Sequence, residues 1–109
     1  MKCIDKYSEA LYTGKMKQAK VIISKKALKE LENLPKAIVD SLLVWVTSVE
    51  EDGMKEVRKI SGYHDEPLKG DRLGQRSIRL NRAYRAFYIL TDNGDIELVT
   101  VIEINKHKY

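Results

Sequence analysis

Cysteine, histidine and proline are scarce in this sequence. The single cysteine, Cys3, excludes an intrachain disulfide framework and any cysteine-built zinc cage. Two histidines, His64 and His107, leave little room for a metal centre, and no metal or cofactor is expected. Two prolines and six glycines in 109 residues exclude a collagen-like or low-complexity chain. Apolar runs are short. Leu42–Val46 falls far below the roughly 20 residues of a membrane-spanning helix, so no membrane partner is expected. No secretory apolar segment follows Met1, which points to the cytoplasm. The stretch Gly70-Asp71-Arg72-Leu73-Gly74 lacks a Gly-Lys-Ser/Thr ending and reads as a turn, not a phosphate loop. The length suits one small domain and excludes a multidomain enzyme.

What the sequence has is unevenly placed positive charge. Twenty Lys and Arg against 16 Asp and Glu give a net charge of +4. Between Pro67 and Ala86 stand Lys69, Arg72, Arg76, Arg79, Arg82 and Arg85, against Asp71 alone. This segment carries +5, so the other 89 residues sum to −1. The arginines alternate with Ile78, Leu80, Tyr84 and Phe87, so they belong to ordered structure. A basic cluster on ordered structure points to a polyanion.

The pattern reads as one α+β domain from residue 19 to 109. Residues 1–18 show no clean period and read as an arm or a short docking helix. Lys20–Ser24 is a β-branched strand. Ser24 caps a helix that buries Ala27, Leu28 and Leu31. Pro35 opens a second helix, whose Ile38, Leu42, Trp45, Val46 and Val49 form one apolar stripe ended by Gly53. Met54–Ile60 reads as a third short helix with Met54, Val57 and Ile60 inward. Ser61–Gly74 reads as a polar connector. Gln75–Asn81, Tyr84–Leu90 and Ile96–Ile104 follow as strands, the last two joined by the turn Asp92-Asn93-Gly94-Asp95. The expected architecture is an N-terminal strand and a helical hairpin packed on a C-terminal antiparallel sheet.

Alternation then sorts the charges. Ile78 and Leu80 point to the helices, so Ser77, Arg79 and Asn81 face away. Tyr84, Ala86, Tyr88 and Leu90 inward put Arg85 beside Arg79, because burying Arg85 unpaired would cost far more. With Ile96, Leu98, Thr100, Ile102 and Ile104 inward, the opposite parity leads to His107 and Tyr109. The expected open face carries Arg79, Arg85, His107 and Tyr109. Arginine forks grip phosphate oxygens, aromatic rings stack bases, and histidine moves protons near neutral pH. These are the parts of metal-free RNA cleavage. A late histidine can also be an uncommitted surface residue, and a final tyrosine can fray. Arg72, Arg76 and Arg82 read as steering charge, and His64 as a loop residue.

The segment from Glu66 to Leu90, with its Leu68-Lys69-Gly70 turn, Ile78-Arg79-Leu80 step and Tyr84-Arg85 start, resembles the signature of the RelE/ParE toxin superfamily, closest to its HigB-like branch. Val101–Tyr109 resembles the superfamily's C-terminal strand. The resemblance implies a RelE-like fold and a type II toxin that cleaves mRNA, usually on the ribosome. It implies silencing by a cognate antitoxin, a small helix-turn-helix protein. Arg85 would stabilise the transition state, Arg79 and Lys69 would flank the scissile phosphate, and His107 and Tyr109 would supply acid–base and stacking groups. Arg72, Arg76, Arg82 and Lys106 would hold RNA. The same fold also serves gyrase poisons, and a non-catalytic antitoxin-binding homologue is a further alternative.

Overall fold

The computed structural model describes residues 18–106. Its elements run β1 (Gln18–Ile23), α1 (Lys25–Leu31), α2 (Lys36–Asp52), α3 (Met54–Val57), β2 (Glu66–Pro67), β3 (Arg76–Arg79), β4 (Tyr84–Asp92) and β5 (Ile96–Lys106). They build an α+β fold around one five-stranded sheet in the order β1-β5-β4-β3-β2. β1 lies parallel to β5, whereas the other neighbours are antiparallel. The expected strands are present, and β2 adds a short fifth one inside the supposed connector.

Local chemistry explains the element ends. Ser24 Oγ accepts a hydrogen bond from the Ala27 amide at 3.1 Å and so caps α1. Gly53 closes α2 at φ 85°, a conformation that favours glycine, and its amide donates to the Val49 carbonyl at 2.8 Å. In the β4–β5 turn, Asn93 Oδ1 accepts from the Asp95 and Ile96 amides at 3.0 and 2.8 Å.

The helices cover one sheet face. Ile38, Leu42, Trp45 and Val49 of α2 are buried with Ile78, Ala86, Tyr88, Val99, Val101 and Ile104 of the strands. Trp45 and Tyr88 sit with ring centroids 5.4 Å apart. Met54 and Val57 complete the core, but Ile60 and Leu28 are exposed, against expectation. Leu28 lies on the solvent side of α1, which buries only Ala27 fully, and Ile60 lies past the end of α3 at Val57.

The parity of β5 also differs from expectation upstream of residue 102. Val99 and Val101 face the core, not Leu98 and Thr100. A bulge between Phe87 and Tyr88 shifts the register, so Phe87 opposes Glu103 while Tyr88 opposes Val101. Beyond the bulge Ile104 is inward, as alternation had it.

Asp65 ties the sheet to the connector. Its buried carboxylate accepts from Arg76 Nε at 2.6 Å and from the Tyr88 hydroxyl at 2.5 Å. Burial, and then this bond, raise the Tyr88 pKa well above its ordinary value. A raised value means full stabilisation below the ordinary pKa, lost as pH rises above about 10. Tyr88→Phe should cost roughly 1–3 kcal/mol at neutral pH. Denaturant melts should also show the variant losing less further stability than the wild-type protein between neutral pH and about pH 11.

Candidate RNA-phosphate face

The face of the sheet opposite α2 holds the candidate site. β3 and β4 are joined by a tight turn in which Asn81 Oδ1 accepts from the Ala83 and Tyr84 amides at 2.7 and 2.8 Å. This turn fixes the register, and Arg79 directly opposes Arg85. Two like charges facing each other across a strand pair repel. The Arg79 side chain makes no ion pair or hydrogen bond among the described residues. Arg85 is held from below: its Nη1 donates to Ser77 Oγ at 3.0 Å and approaches Glu66 Oε1 at 3.5 Å. Ser77 is fully buried, so it is a fixed support. The Glu66 side chain is 53% exposed, so its carboxylate is open to a ligand.

Glu66 reaches this face through β2. His64 takes a left-handed φ of 46°, and the two following residues diverge. Asp65 turns to Arg76 and Tyr88, while Glu66 lies opposite Ser77. The sequence reading missed Glu66 because a two-residue strand containing Pro67 has no visible period. It also missed Ser77 as a support, although its parity was correctly assigned.

Arg72 lies over the same face. Its guanidinium stacks on Phe87, 4.1 Å from the ring centroid, and donates to Gln75 at 2.9 Å and Glu103 at 3.0 Å. Glu103 also accepts from Asn105 at 2.6 Å and lies 3.5 Å from Lys26. Desolvation pushes the Glu103 carboxyl up, but the hydrogen bonds from Arg72 and Asn105 and the charges of Arg72 and Lys26 outweigh it. The net shift is downward. Glu103 therefore stays ionised and keeps Arg72 flat on Phe87.

The other expected residues scatter. Lys69 is exposed at the start of a 3₁₀ turn, Gly70–Arg72, beyond β2. Arg76 sits on the opposite, helix-facing side, committed to Asp65. Arg82 is exposed in the β3–β4 turn, and Lys106 is exposed opposite Tyr84 at the end of β5. His107, Tyr109 and the arm up to residue 17 lie outside the described residues. Among the described residues, no group of three or more His, Cys, Asp or Glu converges as metal ligands would. No helix there is long and apolar enough to cross a membrane.

An opposed arginine pair should bind oxyanions. Sulfate at ten times its Kd should raise Tm by roughly 5 °C over chloride of equal ionic strength. Arg79→Ala and Arg85→Ala should each remove most of this difference in a thermal melt.

No protein-family model matches the sequence, and no curated protein matches it significantly. Solved structures do. YafQ from E. coli superposes with a TM-score of 0.66 at 18% identity, over 83% of this chain and 94% of YafQ. The RelBE2 toxin–antitoxin complex from Mycobacterium tuberculosis contains a chain matched at a TM-score of 0.61 and 18% identity, over 83% of this chain and 99% of that one. A chain of the YoeB–YefM toxin–antitoxin complex from Staphylococcus aureus matches at 0.58 and 22%, over 84% and 99%. The five-stranded sheet with its covering helices is therefore the fold of the RelE, YoeB and YafQ toxins.

Proposed function

We propose that this protein is the toxin of a type II toxin–antitoxin pair and that it cleaves mRNA. One observation carries the reading: Arg79 and Arg85 oppose each other on an open sheet face, with the Glu66 carboxylate 3.5 Å from Arg85. Two arginines forced together gain most from a ligand with negative charge between them, and a phosphodiester supplies it. The carboxylate beside them supplies a base.

In this reading Arg85 and Arg79 hold the non-bridging oxygens of the scissile phosphate. Glu66 takes the proton from the 2′-hydroxyl. The 2′-oxygen then forms a bond to phosphorus, and charge grows on the phosphoryl oxygens where the arginines stand. The bond to the 5′-oxygen breaks, and an acid protonates that oxygen as it leaves. His107 is proposed for the acid and Tyr109 for stacking on a base. The products are a 2′,3′-cyclic phosphate and a 5′-hydroxyl. The arginines provide the charge stabilisation, so this route calls for no metal. Lys69, Arg72, Arg82 and Lys106 are proposed to steer the strand. Arg76 is left out, because its guanidinium is committed to Asp65 on the other face.

The neighbours seen in complex with antitoxins support a cognate antitoxin, proposed as a small helix-turn-helix protein covering the basic face. The ribosome is proposed as the place where mRNA is presented, in the cytoplasm.

Expression should arrest growth, and primer extension should map cuts in translated mRNA. Arg85→Ala should slow cleavage by about 10²–10³-fold. Glu66→Gln and His107→Ala should each slow it by about 10²–10⁴-fold. Gyrase-linked DNA breaks without cut mRNA would instead assign the face to protein binding. Full activity in Glu66→Gln would place the base elsewhere.

A further inference from the structure

We infer that the groove beside the free edge of β3 is a nucleobase subsite for single-stranded RNA, an inference that rests on reading the arginine face as a phosphate site. The groove is open and shallow, has a volume of about 410 Å³ and is lined by Ser41 and Val44 of α2, Ile60, Tyr63, Leu80 and Arg79. That volume lies within the roughly 300–1,000 Å³ typical of small-ligand sites. Val44 is 61% and Ile60 47% exposed, so apolar surface is left bare there.

Topology connects the groove to the phosphate face. β2 covers β3 only at Arg76 and Ser77, so β3 is a sheet edge at Arg79. Arg79 belongs to both places: it opposes Arg85 on the sheet and lines the groove. A strand whose phosphate is held by the two arginines leaves the sheet over this edge. Its next base meets the groove.

The lining suits a base. An unstacked base presents a flat apolar face and a polar edge. Val44, Ile60, Leu80 and the Tyr63 side chain offer apolar and aromatic walls, and Ser41 offers a hydroxyl. The one acid of the lining, Asp40, is already paired with Lys36 at 2.8 Å. Arg79, without an ion pair among the described residues, sets the groove's charge. Charge complementarity therefore favours a polyanion over a protein segment.

The test uses uncleavable 2′-O-methyl RNA oligonucleotides, intact or with an abasic residue at each position in turn. Binding is read by fluorescence anisotropy. For the wild-type protein, one abasic position should weaken binding about ten-fold. Val44→Asp should lose the same factor on the intact oligonucleotide and be insensitive to that abasic position. Ile60→Asp, from the other wall, should behave alike. A 4-thiouridine at that position should cross-link to residues 60–63. The inference is overturned if both variants bind intact RNA as the wild type does, or if their losses add to the abasic loss. It is also overturned if the variants lose only a protein partner. The underlying phosphate reading fails separately, if the doubly substituted Arg79→Ala, Arg85→Ala protein binds the oligonucleotide undiminished.

Discussion

Arg79 and Arg85 stand opposite each other on neighbouring antiparallel strands, and the rest of the site follows from that opposition. In an isolated hairpin such a pair would be destabilising. Here the register is fixed by the Asn81 turn and by Ile78 and Ala86, which oppose each other on the buried side of the same strands. A one-residue slip of either strand would turn its inward residue, Ile78 or Ala86, to solvent. The core thus sets the position of the arginines, and a bound anion would relieve their repulsion.

The acidic residues explain why a nearly balanced composition produces a basic face. Glu30 accepts from the Ile104 amide at 2.8 Å, where β5 extends past the end of β1. Glu50 accepts from the Val21 amide on the outer strand β1 at 3.0 Å, and Glu97 accepts from the Met54 amide at the start of α3 at 3.0 Å. Asp65 is buried under Arg76 and Tyr88. Each of these carboxylates is taken up by a donor of the fold itself. Glu103 is committed to Arg72, Asn105 and Lys26. Among the described residues, the exposed carboxylate of Glu66 is the one left open beside Arg85.

Much of this was legible where strands alternate strictly. Ile78 and Leu80 sort β3, and Tyr84, Ala86 and Tyr88 sort β4, so the placement of Arg79 and Arg85 follows from sequence. The same rule also puts Arg76 on the side of Ile78, a signal that was present and outweighed by its charge. The bulge at Phe87 and Tyr88 was not legible, because an extra residue in β5 depends on how two strands fit together. It reverses the parity of Val99 and Val101 without leaving a local mark. Glu66 was hidden for a different reason. Its strand exists only because β3 pairs with it over two residues.

A shared fold at 18–22% identity does not carry an activity with it. Donor geometry is what makes the arginine pair fit a phosphate. A guanidinium has five N–H donors in a rigid fork. Among the described residues, Arg85 commits one nitrogen, Nη1, to Ser77 and, more loosely, to Glu66. That contact holds the fork from the buried side, and the side chain keeps 17% of its surface exposed, where its outer donors can meet a ligand. Among the described residues the Arg79 side chain has no such contact, which leaves it free to follow an anion. A held arginine beside a free one, with a carboxylate at the edge, matches the needs of a reaction in which charge builds on phosphoryl oxygens while a proton leaves a neighbouring hydroxyl.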